Sequence, residues 1–419
     1  MVTLSEKPNN NLSGGSNALL GINTKFPSTS TPIQPQEIDE HNFALIERYY
    51  LQALARELLR IDEIPLDYDG SYKLKDHRVC MCGRYPSYGR DSVDLVYSPQ
   101  RKRGGFIGLS HCSSVWVCPV CASGITEERR KELNTAFDNW SGGVVLVTMT
   151  IRHNAGDDLA KSLAVLSSAY DRFLSGRYGE EKREFYKIVG AVKALEVTWG
   201  RNGWHPHLHV LFFGSFNGLK PVQRPDGETD NAFAMSDLEA TFKRRWQFVA
   251  AAVGGSATYE NGLTVKDDEH FVREYIAKYG HEPMKDSWSL QHEVSKANIK
   301  KGRQLDHYTP FQLLSRYGDG DKWAGELFKM FVKVFHGKKQ IIWSRGLKAR
   351  LGVGEKSDEQ IVEGEMSDAS VLLGSLSSQQ WTRLRKAELI PALHLVLNSG
   401  NVFEVKKFLL DNFIISRGE

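Results

Sequence analysis

The stretch Leu195-Glu-Val-Thr-Trp-Gly-Arg-Asn-Gly-Trp-His-Pro-His-Leu-His-Val-Leu-Phe-Phe213 constrains this chain more than any other. Two alternating runs flank Asn202-Gly203, and a short turn of that composition between such runs reads as a β-hairpin. A type I′ turn at Asn202-Gly203 sets Gly200 opposite His205, Thr198 opposite His207 and Glu196 opposite His209. Successive strand side chains point to opposite faces. Leu195, Val197, Trp199, Trp204, Pro206, Leu208 and Val210 therefore share one face, and Glu196, His205, His207 and His209 share the other. The first face is core and the second is chemistry. Opposed Cβ atoms lie about 4.5–5.5 Å apart, so Glu196 and His209 can reach one ion. A single His on a strand usually just faces solvent, but three in alternation with a carboxylate opposite form a ligand set. Imidazole and carboxylate with open positions suit a catalytic cation, Mg²⁺ or Mn²⁺ in use, with Zn²⁺ or Cu²⁺ also able to bind. His205 is either a further ligand or a support for the other two.

Cysteine usage is the second constraint. Of five cysteines, Cys112, Cys118 and Cys121 fall within ten residues, and Cys80-Met-Cys82 lies upstream. Cys-x2-Cys with an upstream cysteine pair is the ligand pattern of a structural Zn²⁺ site in a reducing compartment, whereas an odd count argues against a disulfide framework. Five thiols exceed four positions. One of Cys80, Cys82 or Cys112 is then spare, and His111 is an alternative ligand.

The chain has 419 residues, 41% hydrophobic and 25% charged, which allows two or three soluble domains. No run approaches a membrane span, and the start lacks a basic region followed by an apolar one, so a cytoplasmic protein without a membrane partner is expected. Residues 1–40, rich in Asn, Ser, Thr, Pro and Gly, read as a disordered lead. Residues 41–140 read as a helix and a Cys-rich zinc module. Over 141–350 a strand from Val144, a helix from Asp157, a strand pair from Ile188 to Phe213 and further helices predict an α+β domain with helices on one face of an antiparallel sheet. Residues 351–380 read as a linker and 381–419 as a helical tail. The net charge of +3 does not announce a nucleic-acid partner. Basic character is local, in Arg101-Lys-Arg103, Lys243-Arg-Arg245, Lys296 to Arg303 and Lys338 to Arg350, the kind of surface that phosphate contacts require.

A helix capped by Asp267 or Asp268 and ended by Gly280 carries Tyr275 and Tyr279, which share a face at i, i+4 spacing. Spacing alone fits an aromatic stripe packed on the core. Lys278 adds a cation beside Tyr279 that can hold a phosphate or favour phenolate.

Together, Val147-Thr-Met-Thr150, His205-Pro-His-Leu-His-Val210 and Tyr275-Ile-Ala-Lys-Tyr279 resemble, in order, the motifs of the rolling-circle plasmid replication initiators within the HUH endonucleases (His, hydrophobic residue, His). Cys118-Pro-Val-Cys121, Thr309-Pro-Phe-Gln-Leu-Leu314 and Trp343-Ser-Arg-Gly-Leu-Lys348 are further echoes, so the resemblance spans about Cys80 to Lys348. It implies an HUH/RRM-like nuclease core, with His207 and His209 as ligands of the catalytic ion. It also implies a tyrosine nucleophile that nicks origin DNA, single- or double-stranded, through a covalent 5′-phosphotyrosine and leaves a 3′-hydroxyl primer. Host helicase and DNA polymerase are the implied partners. Tyr279 matches both the one-tyrosine and two-tyrosine patterns of the family, whereas Tyr275 stands where plasmid initiators often carry glutamate. Glu196 as third ligand rests on the hairpin pairing. A phenol with pKa near 10 is a poor nucleophile at neutral pH, so a cation on the scissile phosphate has to supply much of the acceleration. An HUH transposase or relaxase would use the same nick. In a zinc-containing nucleic-acid-binding protein without activity the histidines and tyrosines would be structural, whereas a His/carboxylate metal oxygenase would leave the tyrosine pair unexplained.

Overall fold

A computed structural model describes residues 40–60, 64–65, 72–73, 76–216, 222–223, 229–266, 272–273, 275–276, 307–364 and 370–416. The expected disordered lead up to 39, Lys278, Tyr279 and the basic run from Lys296 to Arg303 lie outside them. Residues from Glu40 onward form one compact unit. Among the described residues no helix is long and apolar enough to cross a membrane.

In chain order the main elements are α1 (Glu40–Leu58), β1 (Ser92–Ser98), β2 (Arg103–Ile107), α2 (Pro119–Asp138), β3 (Gly143–Thr150), α3 (Leu159–Phe173), α4 (Gly176–Phe185), β4 (Gly190–Gly200), β5 (Gly203–Gly214), α5 (Asn231–Ala252) and β6 (Leu263–Lys266). There follow β7 (His307–Tyr308), α6 (Pro310–Gly318), α7 (Lys322–Phe335), β8 (Ile341–Trp343), α8 (Leu347–Arg350), α9 (Asp358–Gly364), β9 (Val371–Ser377), α10 (Ser378–Lys386), α11 (Ile390–Leu397) and α12 (Val402–Asp411). Local chemistry explains several of these boundaries. The Asp158 carboxylate accepts from the Lys161 N–H to start α3, and Thr309 with Gln312 forms a capping box before Pro310 to start α6.

The main sheet runs β6-β3-β5-β4, every neighbour antiparallel, with β7 and β8 both on the outer edge of β4. Together with α3 and α5 these four strands follow the order β-α-β-β-α-β, a split βαβ arrangement. Leu166 and Phe173 of α3 and Phe242 and Trp246 of α5 bury one face against Val145, Val147, Val210 and Phe212. On the other face Leu133 and Ala136 of α2, Val272, Ile276 and Leu347 cover Val144, Leu146, Leu211 and Phe213. Helices thus lie on both faces, not on one as the sequence suggested. The cause is legible in the strands: Val144 to Val147 and Val210 to Phe213 are continuous apolar runs, and such a strand has to be covered twice.

The β4–β5 hairpin does not stand apart from the Cys-rich region. Val197 and Trp204 share one core with α1, the cysteines and α7, and the Trp204 ring stacks on Phe331 at 6.1 Å. A second sheet, β9-β1-β2, is covered by α10, α11 and α12 around a core that includes Trp381. The 351–380 span, expected as a linker, therefore holds α9 and β9, and residues 381–416 of the expected tail pack on strands near residue 100. Its short strand Val371-Leu-Leu-Gly-Ser-Leu-Ser carries little pattern of its own because its pairing partner lies far away in sequence.

Candidate metal centres

Strand pairing decides which side chains meet. In the β4–β5 hairpin Glu196 faces His207, Ala194 faces His209, and Gly200 faces Gly203. The expected register is therefore corrected by two residues. Neither Arg201 nor Asn202 has positive φ, whereas Gly203 has φ 79°, so the turn is Arg201-Asn202 closed by a left-handed glycine instead of a type I′ turn at Asn202-Gly203. A Cβ on Gly203 would also come within 3.0 Å of the Ala155 Cα, on the loop against the hairpin tip. A slip of two residues keeps each side chain on its face, so the division into core and chemistry faces survives.

On the chemistry face the Nε2 atoms of His207 and His209 lie 3.2 and 3.3 Å from Glu196 Oε2. Their other nitrogens are engaged behind them: His209 Nδ1 is 3.0 Å from Thr148 Oγ1 and His207 Nδ1 is 3.3 Å from the His205 carbonyl. Such contacts hold an imidazole's orientation and turn the remaining lone pair inward. Burial pushes the Glu196 carboxyl up, yet hydrogen bonds and charge from His207 and His209 outweigh burial and hold it below the ordinary carboxylate range. One ligand atom from each of the three lies within 4.8 Å of the others, a spacing that fits one divalent ion. An anionic oxygen and two imidazole nitrogens match the expected donor set. Thr148 appeared in the sequence only as part of a strand motif; its pairing with His209 on the adjacent strand was the signal for its role.

His205 falls outside this trio. It lies on the same face, but its Nδ1 meets His153 Nδ1 at 3.2 Å. Burial, then the charges of His207, His153 and His307, push its pKa down to about 3. Its contribution to the trio comes through the backbone carbonyl. Tyr275 is brought in: its ring centroid is 4.9 Å from that of His209. Arg273, on the same helical segment, pairs with Asp138 at 3.1 Å and covers the Phe137 ring, which ties the segment to α2. Tyr279 and Lys278 are outside the described residues.

The second group consists of thiols. Cys82, Cys112, Cys118 and Cys121 are all buried, with Sγ–Sγ distances of 3.7 Å for Cys82–Cys118, 3.5 Å for Cys82–Cys121 and 3.8 Å for Cys112–Cys121. A Zn²⁺ tetrahedron with bonds of about 2.3 Å has S–S edges of about 3.8 Å. The thiols therefore fit one ion. Cys118 caps α2, with Pro119 following, and the buried Gln52 amide of α1 donates to its sulfur at 3.1 Å. Cys80 is the spare cysteine: its Sγ meets the Arg56 carbonyl at 3.4 Å, and burial pushes its thiol up. The four thiols complete the set without His111.

An antiparallel α+β core with a Glu-His-His group beside a tyrosine, sharing its interior with a four-thiol cluster, defines a metal-competent α+β protein. Residues 109–217 match the family described as Replication protein, a segment that holds Cys112, Cys118, Cys121, Thr148 and the whole Glu-His-His hairpin. The chain is 27% identical over 303 residues to "Protein rep" of Streptomyces lividans, covering 59% of this chain and 65% of that one. It is 29% identical over 170 residues to "Neomycin resistance protein" of Streptomyces cyanogenus, covering 34% of this chain and 38% of that one. The alignments thus span less than two thirds of either relative. No solved structure matches. These similarities support the resemblance to plasmid replication initiators carried by the motifs.

Proposed function

We propose that this protein initiates rolling-circle replication of a plasmid by nicking one origin strand and joining a tyrosine to its 5′ phosphate. The observation that carries the reading is the convergence of His207 and His209 on Glu196 beside Tyr275, inside and just beyond the segment similar to replication proteins. The split βαβ sheet then serves as an HUH/RRM-like nuclease core over 141–350, with Mg²⁺ or Mn²⁺ on the trio and a structural Zn²⁺ on the four cysteines. Bound to the trio, the cation polarises the scissile phosphate and offsets its developing charge.

The chain's own groups supply the rest. The tyrosine hydroxyl attacks phosphorus, the bond to the 3′ oxygen breaks, the phenolic proton leaves to solvent, and the departing oxygen takes up a proton as a 3′-hydroxyl. Tyr279 makes the first attack, Lys278 supplies positive charge beside it, and Tyr275 receives a strand in a later transfer. Thr148 and the His205 carbonyl keep both imidazoles facing the phosphate. The free 3′-hydroxyl primes a host polymerase, with a host helicase opening the duplex in the cytoplasm.

The test uses single-stranded oligonucleotides tiled across the replicon that carries the gene, labelled at the 3′ end and incubated with the protein and Mn²⁺. A covalent, protease-sensitive adduct is expected from one of them, and none from His207→Ala or His209→Ala. Failure to form an adduct on every oligonucleotide, with no nicking of the supercoiled replicon, overturns the proposal.

A further inference from the structure

The small sheet β9-β1-β2 and its helices lie outside residues 109–217, which match the replication-protein family, and contribute nothing to either ligand group. Its charge sets it apart. Residues 84–107 and 370–416, which build it, hold ten Lys and Arg against five Asp and Glu, a surplus larger than the +3 of the whole chain. Elsewhere many cations are tied to carboxylates, as Arg129 is to Glu132 and Asp358, and Lys356 to Glu128. Lys102 and Arg103 at the β1–β2 tip and Lys406 and Lys407 on α12 are exposed, and none has an ion-pair partner among the described residues.

Packing sets the hairpin that carries the first pair beside the turn leading into the helix that carries the second. The Gly104 N–H donates to the Asn398 Oδ1 at 2.9 Å, and a Cβ on Gly400 would touch the Tyr97 ring, so the hairpin tip abuts the turn from α11 into α12. On α12, Val405 and Leu409 are buried, whereas Phe403, 86% exposed, and Lys407 share the outward face at i, i+4 spacing with Lys406 beside them.

From this juxtaposition we infer that the β1–β2 tip and the outer face of α12 form a second nucleic-acid surface, which holds the phosphate backbone of duplex DNA away from the nicking centre. Concentrated, unpaired cations complement a polyanion, and contacts of this kind release condensed counterions without reading bases. A single-strand platform would need successive stacking rings, and among the described residues of α12 Phe403 is the one exposed ring. The ligand class rests on the reading of the chain as a DNA-nicking initiator; the location does not.

The experiment neutralises the surface in the full chain with Lys102→Gln, Arg103→Gln, Lys406→Gln and Lys407→Gln together. Binding to a fluorescent duplex of arbitrary sequence is followed by anisotropy across a salt series. Each lost phosphate contact removes about one unit from the slope of log affinity against log salt, so the variant should be shallower by about three to four units. A control carrying Lys161→Gln, Lys187→Gln, Lys322→Gln and Lys333→Gln should keep the parent slope. An unchanged slope in the first variant, or an equal loss in the control, overturns the surface. So does a variant that loses binding to anionic phospholipid vesicles while keeping its duplex affinity. Adduct formation on the single-stranded oligonucleotide is measured alongside and should be retained. Its absence in parent and variant alike sinks the nicking reading, while the slopes still decide this one.

Discussion

Glu196 stands directly across the hairpin from His207, with its Oε2 3.2 Å from that imidazole's Nε2 and 3.3 Å from the Nε2 of His209 one pleat further along. One carboxylate thus serves two imidazoles, and its charge is what would let the trio hold a cation. Glu196→Gln keeps the shape and removes the charge. The Mn²⁺ concentration for half-maximal adduct formation should rise by at least about tenfold, since even an outer-shell partner is worth that much. An unaltered Mn²⁺ dependence would remove Glu196 from the site.

Thr148 holds His209 from behind through a 3.0 Å contact to Nδ1. Thr148→Val deletes the hydroxyl at nearly constant volume and should weaken Mn²⁺-dependent adduct formation by about 10–100-fold, with Thr148→Ser restoring most of it. Equal loss in the serine and valine variants would point to strand packing as the cause.

The four-thiol cluster excludes Cys80. Metal analysis of Cys80→Ser should show zinc at the parent's stoichiometry, expected at about one per chain, whereas Cys121→Ser should lose it. Because α1, α2 and Trp204 share the cluster's core, Cys121→Ser should also unfold at markedly lower urea. Zinc retained in Cys121→Ser, or lost in Cys80→Ser, contradicts the ligand set drawn from the distances.

His205 supplies a pH test. Its pKa is about 3 in the folded protein against an ordinary 6.5. As pH falls, the unfolded chain takes up this proton before the folded one does. The stability tied to the neutral ring is therefore present above 6.5 and lost progressively towards 3. Glu47 has the opposite sign: burial raises it to about 7, so its contribution is lost as pH rises from 4.5. The comparison is therefore between variant and parent. His205→Asn should flatten the fall in urea midpoint between about pH 7.5 and about pH 5; parallel curves would show that His205 is not neutral in the fold.

Peptide mapping of the adduct assigns the nucleophile. Tyr279→Phe is expected to abolish the first covalent adduct and Tyr275→Phe to retain it while impairing strand transfer. Adduct on Tyr275 in the parent protein reverses the two roles, a result its position against His209 would readily accommodate.

Strand alternation is a property of the backbone, so the face shared by Glu196, His207 and His209 was legible in the order of residues from Leu195 to Phe213. So was the presence of a thiol site, because Cys-x2-Cys is a local pattern. What each group touches was decided only by the fold. The hairpin register depends on which residue takes the positive φ, and the left-handed Gly203 moved Glu196 from His209 to His207. Thr148 meets His209 through pairing between strands about sixty residues apart, and Cys80 is excluded because its sulfur faces the α1 backbone and not the other thiols. The linker that proved to hold a strand follows the same rule: Val371 to Ser377 is a strand because Ser92 to Tyr97 lies beside it. Local sequence determines periodicity and chemistry, whereas partners distant in the chain are chosen by the packing that buries both.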